Sequence, residues 1–287
     1  MLMNKGRGWR PFCLWDEKMR LSVIVENLTV KQTLFGEWGY SAWLDAGESR
    51  ILLDTGGILH VWEHNARALG FDPSRLTDVV LSHGHFDHTA GLSDVLRLAP
   101  HARVWGAASI ARPRWGDADA ARLAGGGPLL EGIVRHPIAP HETIAPGVTA
   151  FTVPLDRRDS RWICTKNMFE QNAIGCKCAD TFEDDVSILV QTERGASVLL
   201  GCAHAGLPNI LRYAQEEFGV ERFHTVIGGT HLCGVDPSEY AVWMRELAQY
   251  DVARWRPCHC TGFDAAAVLA RTFEEVAWAA AGTVHEL

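Results

Sequence analysis

Apolar runs that alternate with amphipathic stretches extend along most of the chain. Runs rich in β-branched and aromatic residues, bounded by Gly, Asp, Asn or Pro, are typical of strands. In the first half they read LSVIVEN, YSAWLDA, RILLDTG, TDVVLSHG and ARVWGAA. Apolar residues three or four positions apart are typical of helices, and they occur in HVWEHNARALG and in GLSDVLRLAP.

The second half of the chain continues this alternation. Strands are predicted for GVTAFTVP, VSILVQTE, ASVLLGCA, HTVIGGTHL and VARWRPCHC. Helices are predicted for LPNILRYAQEEFG, SEYAVWMRELAQY and DAAAVLARTFEEV. Because strands occur early and late with helices between them, we predict an α/β (α+β) fold in which helices cover two sheets, a four-layer αββα sandwich.

The pattern also predicts how the chain divides. No linker composition interrupts residues 19–287, so we expect one domain there. Residues 1–18 have no strand or core pattern and are predicted to form a flexible N-terminal extension. Residues 112–147 are rich in Gly, Pro and Ala, and we interpret them as a rim or lid.

Composition and charge exclude several classes of partner. The net charge is −8 and no run of Lys or Arg exceeds two residues, so we expect no binding to nucleic acid or to an anionic membrane. No stretch approaches the roughly 20 apolar residues of a membrane span. The first residues have no apolar signal region, and eight cysteines in 287 residues do not indicate a disulfide scaffold. We therefore predict a cytoplasmic protein.

A dense group of metal-ligand side chains follows the fourth predicted strand. The segment LSHGHFDHTAGL places His83, His85, Asp87 and His88 within six positions. Imidazole and carboxylate groups bind zinc, iron or manganese. Alternate residues of an extended loop share a side, so His83 and His85 can bind one ion, and Asp87 with His88 can reach a second. A cluster of solvated polar side chains is the alternative interpretation.

The pattern H-x-H-x-D-H after a strand resembles the signature of the metallo-β-lactamase superfamily. The resemblance extends through ILLDTGG, EWGYSAWL, GCAHAGLPNIL, VIGGTHL and RPCHCTG, and it is similar to a branch named for dihydropterin–ribofuranosylaminobenzene-phosphate synthase. It implies an αββα sandwich with one or two metal ions at one edge. It also implies that Asp54 supports the metal-binding loop.

The resemblance implies further ligands at later strand ends. His204 would complete the site of His83 and His85, and His259 would join Asp87 and His88. His231 also ends a predicted strand, and either ligation or a place in the cleft as a catalytic group is consistent with this position. We favour the second role for His231. Asp87 would in addition orient the attacking water, which makes Asp87 and His231 the predicted catalytic residues.

The chain departs from the superfamily at the position that often carries a bridging aspartate. Here the strand ends in VLLGCAH, with Cys202 after the glycine. Its thiolate could be a metal ligand, or Cys202 could be a small buried residue. Asp184 and Asp185 are interpreted as acceptors for backbone amides or for a ligand histidine, outside the ligand set.

These residues predict a metal-dependent hydrolase. Two zinc ions, with manganese or iron as alternatives, would supply a hydroxide that attacks an ester, lactone, amide or phosphoester. The alternatives are a pterin and aminobenzene-ribosyl-phosphate synthase and a non-catalytic metal sensor. We expect a small-molecule substrate, anionic or aromatic, which Arg112, Arg114 or Trp115 could contact. The oligomeric state does not follow from the sequence.

Overall fold

The computed structural model describes residues 19–116, 122–127, 130–163, 167–172 and 174–287. The predicted extension 1–18 lies outside these residues. In the described residues the strands are, in chain order, β1 (Arg20–Val25), β2 (Ser41–Ala46), β3 (Ser49–Leu53), β4 (Asp78–Val80), β5 (Arg103–Gly106), β6 (Arg114–Gly116), β7 (Arg122–Gly125), β8 (His136–Pro137), β9 (His141–Ala145), β10 (Val148–Thr152), β11 (Phe169–Gln171), β12 (Lys177–Ala179), β13 (Val186–Thr192), β14 (Gly195–Leu200), β15 (Phe223–Gly229), β16 (Trp255–Cys258) and β17 (Val284–Glu286).

Six α-helices connect and cover these strands within the described ranges. They are α1 (Leu59–Ala68), α2 (Phe86–Thr89), α3 (Leu92–Leu98), α4 (Leu207–Phe218), α5 (Tyr240–Leu247) and α6 (Phe263–Thr272). Helix α4 begins with Pro208 in its first turn and ends at Gly219, whose φ of 67° is the left-handed conformation that glycine adopts readily. In the described part of the chain, every helix is too short or too polar to cross a membrane.

Two large sheets form the centre of the fold. The first has the strand order β17-β1-β2-β3-β4-β5-β8, and the second has the order β16-β15-β14-β13-β10-β9. In each sheet the chain passes from antiparallel to parallel pairing: β3, β4 and β5 are parallel, as are β14, β15 and β16. Parallel strands bring their carboxyl ends to one edge of a sheet, and this edge carries the candidate site.

Side-chain alternation along the strands produces three cores. In β2, Ala42 and Leu44 pack between the two sheets, whereas Trp43 packs with Trp62 of helix α1 on the outer face. In β14, Leu199 joins the core between the sheets, and its neighbours pack against α4, α5 and α6. Helices therefore cover both outer faces, and the predicted four-layer αββα sandwich is confirmed.

A third, four-stranded sheet was not predicted from the sequence. It has the order β12-β11-β6-β7, and we call it the accessory sheet. Part of the predicted rim, residues 112–147, enters this sheet, while β8 and β9 extend the edges of the two large sheets. The accessory sheet contacts the metal-binding loop by backbone: Gly126 N donates to Gly84 O at 2.7 Å, and Gly125 bridges His85. A Cβ atom at Gly125 would overlap Gly84 O.

Candidate metal centre

The predicted ligands come together at the carboxyl edge of the two large sheets. His83 follows β4, His204 follows β14, His231 follows β15 and His259 follows β16. The remaining ligands lie beside His83: His85 precedes the short helix α2, which holds Asp87 and His88. His88 and His259, which are 171 positions apart in the sequence, are thereby brought within contact distance.

One group of donors surrounds His83. Its Nε2 lies 3.1 Å from Nδ1 of His85, and its ring centre lies 4.7 Å from that of His204. Single donor atoms of His83, His204 and Cys202 all lie within 4.8 Å of one another. All three of these side chains are buried, so this group is suited to hold one metal ion.

A second group of donors surrounds His88. Its Nε2 lies 3.2 Å from Nε2 of His259, and Asp87 Oδ2 lies 3.4 Å from the same His259 atom. Donor atoms of His88, His259 and Cys202 also lie within 4.8 Å of one another. In the described residues, these two groups are the ones in which three or more such donors come this close.

Cys202 is the residue that the two groups share. Its Sγ lies 3.1 Å from Nε2 of His88, and its side chain is 3% exposed. The thiol therefore lies where a bridging ligand would lie. The sequence left ligation and simple burial open for Cys202. Thiolate binds zinc and iron more strongly than carboxylate does, so the exchange of Asp for Cys is compatible with a metal centre.

The outward-facing nitrogens of three histidines contact protein groups. His88 Nδ1 lies 2.7 Å from Asp54 Oδ2, His83 Nδ1 lies 2.9 Å from Ser82 Oγ, and His259 Nδ1 lies 3.1 Å from Asn27 Oδ1. Such contacts fix the orientation of a ring and direct its other nitrogen inward, as around bound metal ions. The Asp54 contact matches the support that the resemblance implies.

His204 provides a further indication of a metal. Both of its ring nitrogens are buried and have no hydrogen-bond partner among the described residues. A buried polar atom without a partner is costly, and a metal ion is one of the groups that can satisfy it. The ring stacks on Phe182 with 3.8 Å between centres, which fixes its plane.

The charge states of four of the histidines fit cation binding, and that of His88 differs. Burial lowers the pKa of His83, His204 and His259, and it lowers the pKa of His85 to about 3, so these rings are neutral and can donate electron pairs. Burial also acts to lower the pKa of His88, but the carboxylates of Asp54 and Asp87 outweigh it and raise that pKa to about 9.

Asp87 is held ionised at the site. Burial acts to raise the pKa of this carboxyl group, but the neighbouring His88 and His259 outweigh burial and hold the pKa below its usual range. The side chain is 10% exposed, so it retains some contact with solvent.

His231 lies beside the first donor group and outside both groups. Its ring centre is 4.4 Å from that of His204, and its Nδ1 has no hydrogen-bond partner among the described residues. Its backbone N–H donates to Cys260 Sγ at 3.3 Å. Burial lowers the pKa of this ring to about 4. The role of His231 as a catalytic group in the cleft stays a prediction.

Unusual backbone conformations concentrate at this site. Asp54, Ala203, His231 and His259 have φ values of 57°, 57°, 51° and 50°, in the left-handed region that residues other than glycine seldom occupy. Each such residue costs on the order of 1–3 kcal/mol, and such conformations are found mainly where function requires them.

Several supporting residues were not identified from the sequence. Glu26 is fully buried and its Oε1 accepts the backbone N–H of His259 at 2.7 Å. The exposed ring of Trp38 lies 5.2 Å from that of His259. The polar residues that end the first predicted strand were the available signal for Glu26 and Asn27.

Two acidic residues near the site bind backbone amides, whereas two nearby arginines are paired with carboxylates. Asp184 Oδ2 accepts Gly84 N at 2.8 Å and Asp185 Oδ2 accepts Ala205 N at 2.9 Å, so both bind backbone amides as predicted. Arg112 is paired with Glu183 at 2.7 Å and Arg114 with Asp180 at 2.9 Å. These pairs do not support the anion site that was suggested for the two arginines.

Comparison with known proteins agrees with this fold. A model of the metallo-beta-lactamase superfamily matches residues 37–159. The structure of Tm1679, a metal-dependent hydrolase of the beta-lactamase superfamily, matches with a TM-score of 0.80 and 29% sequence identity, over 94% of this chain and 99% of that chain. These matches show that the chain is similar to members of the metallo-β-lactamase superfamily, and the resemblance drawn from the sequence is confirmed.

One relative carries the name of the synthase branch that the sequence resembles, and a second structure shares the fold. The chain is 25% identical to the 7,8-dihydropterin-6-methyl-4-(beta-D-ribofuranosyl)-aminobenzene-5'-phosphate synthase of Methanocaldococcus jannaschii, over 79% of this chain and 81% of that protein. The metallo-beta-lactamase fold protein YhfI from Bacillus subtilis matches with a TM-score of 0.54 and 14% identity, over 95% of this chain and all of that chain. This second likeness concerns the fold alone.

Proposed function

We propose that the protein is a metal-dependent hydrolase that holds two metal ions in the two donor groups. The observation that carries this proposal is the convergence of buried imidazole nitrogens and one thiol, several of them fixed from outside by protein acceptors. The likeness to Tm1679 supports the same reaction class. The nitrogen and sulfur donors favour zinc, with iron or manganese as the alternatives.

In the proposed hydrolysis the metal ions and the side chains have different roles. When bound, such ions activate water and polarise a carbonyl or phosphoryl oxygen. Asp87 orients the attacking water by accepting a hydrogen bond from it, because its carboxylate is ionised and lies beside both His88 and His259. His231 donates a hydrogen bond or a proton to the substrate oxygen.

The rim of the site favours a small molecule with an apolar or aromatic part. Trp38 is 58% exposed beside His259, and Phe86 is 44% exposed between the ligand candidates His85 and Asp87. Flat apolar side chains at this position would contact the body of a substrate whose ester, lactone, amide or phosphoester group faces Asp87.

The second candidate is a synthase reaction like that in the name of the Methanocaldococcus jannaschii relative. Its product carries a phosphate, whose binding calls for a cationic or amide-rich pocket. The two arginines suggested for that purpose are paired with carboxylates. This pairing favours the hydrolase over the synthase.

The proposal is tested by metal analysis followed by a substrate screen. Protein purified without added metal should contain about two zinc ions per chain and should hydrolyse at least one of several aryl esters, lactones, thioesters and aryl phosphodiesters. Prolonged treatment with a chelator should abolish the activity, and zinc should restore it. Metal binding without hydrolysis would exclude the hydrolase, and formation of a pterin–aminobenzene adduct would then establish the synthase.

Replacement of His231 should separate catalysis from metal binding. His231→Ala is expected to keep the parent metal content and to lose about 10²–10⁴-fold in turnover, since it removes a proton or hydrogen-bond donor. His231→Gln keeps a hydrogen-bond donor and should recover part of the rate only if proton transfer is not required. Loss of one ion in either variant would instead identify His231 as a ligand.

A further inference from the structure

A fully buried arginine connects the accessory sheet to the metal-binding loops. The side chain of Arg114, in strand β6, is 1% exposed. Its Nη1 donates to the carbonyl oxygens of Ile110 and Arg112, each at 3.1 Å. Its Nε donates to Asp180 Oδ2 at 2.9 Å, and its Nη2 lies 2.7 Å from Asp184 Oδ1. A guanidinium group this deeply buried is rare and requires such partners.

Both carboxylates that bind Arg114 also accept backbone N–H groups next to the candidate metal ligands. Asp184 accepts the backbone N–H of Gly84, the residue between His83 and His85, at 2.8 Å. Asp180 accepts the backbone N–H of Phe182 at 2.7 Å. The ring of Phe182 is the one that stacks on His204, with an angle of 13° between the two planes.

The guanidinium group also packs directly on the loop. A Cβ atom placed on Gly84 would lie 2.5 Å from Arg114 Nη1 and would overlap Ile110 O. The Arg114 Cζ atom lies 6.0 Å from the centre of the Phe182 ring. Any displacement of Arg114 therefore acts on the backbone beside His83 and on the support of His204 at the same time.

We propose that Arg114 is a positioning residue of the metal centre, acting through Asp184 on the loop of His83 and His85 and through Phe182 on the ring of His204. The proposal rests on the proposed function, because it requires that these three histidines hold an ion. It assigns the accessory sheet a role in metal binding. The two carboxylates balance the positive charge of Arg114, so the cation is tolerated close to an ion site.

The test uses the full chain, stripped of metal and titrated with Zn²⁺ or Co²⁺ against a competing chelator. Asp184→Asn and Arg114→Lys are expected to weaken binding of one of the two ions about 10–100-fold, the range found when a group that orients a ligand is removed. The visible absorption of the Co²⁺ form should change, because it reports the arrangement of the ligands.

Asp78→Asn is the matched control. Asp78 is also fully buried, pairs with Arg103 at 2.8 Å and accepts Trp105 Nε1 at 2.6 Å, at the end of β4 away from His83. It should lower the melting temperature and leave metal affinity and the Co²⁺ spectrum unchanged. If Asp184→Asn does not fold, Arg114→Lys, which retains the charge, decides the question.

The outcomes separate this proposal from the function on which it rests. Parent protein that binds neither Zn²⁺ nor Co²⁺ would overturn both. Parent protein that binds two ions, together with variants of unchanged affinity and Co²⁺ spectrum, would leave the hydrolase proposal standing and would show that Arg114 only stabilises the fold.

Discussion

His83→Ala should leave the purified protein with at least one metal ion fewer per chain and about 10³-fold less active. His83 is fully buried, and its removal leaves only His204 and Cys202 of the three residues of the first donor group. Loss of an ion removes several kcal/mol of charge stabilisation during catalysis, and each 1.36 kcal/mol corresponds to a tenfold change in rate. His88→Ala should have a comparable effect through the second group.

The measurement is metal content by elemental analysis, with turnover on the same sample. His101→Ala is the control, because His101 is exposed in the turn after α3. That variant should match the parent in both quantities. Unchanged metal content in both His83→Ala and His88→Ala would contradict the proposed site.

The second large effect is expected at Cys202. Cys202→Ala should weaken the binding of both ions, each by more than about 100-fold, because the thiol belongs to both donor groups. Losing a residue outside the ligand set typically costs only 10–100-fold in affinity. Competition titrations with a chelator that has a known affinity for Zn²⁺ measure both constants.

Cys258→Ala is the matched control for this experiment. Cys258 is likewise a fully buried cysteine, but it packs among the apolar side chains between the two sheets. Its replacement should change thermal stability and leave both binding constants as in the parent. Equal metal affinities in Cys202→Ala and the parent would show that Cys202 is a small buried residue and not a ligand.

Part of the site could be predicted because its residues are adjacent in sequence or end predictable strands. His83, His85, Asp87 and His88 form one dense cluster, and the apolar runs before His204 and His259 predicted strand ends at the same edge. Because β14, β15 and β16 are parallel, their carboxyl ends lie next to one another at one edge of the sheet. The αββα layers followed from the same alternation of buried positions.

Other parts depend on contacts that a single sequence does not encode locally. The strands of the accessory sheet have three or four residues each, too few for a periodic pattern. Arg114 and its partner Asp180 are 66 positions apart, so Arg114 was interpreted as a surface group for an anionic substrate. The shared position of Cys202 depends on where its side chain points after the strand, which the sequence left open.

The glycine contact between the accessory sheet and the metal-binding loop limits how such a protein can diversify. Any side chain at Gly125 would overlap Gly84 O, and any at Gly126 would overlap the carbonyl oxygen of Arg112. Natural variants that retain this sheet should therefore keep glycine at both positions. Strand β12, at the opposite edge of the same sheet, carries no such restriction at its exposed positions. Substitutions at these exposed positions can accumulate while the backbone contact between the accessory sheet and the metal-binding loop is kept.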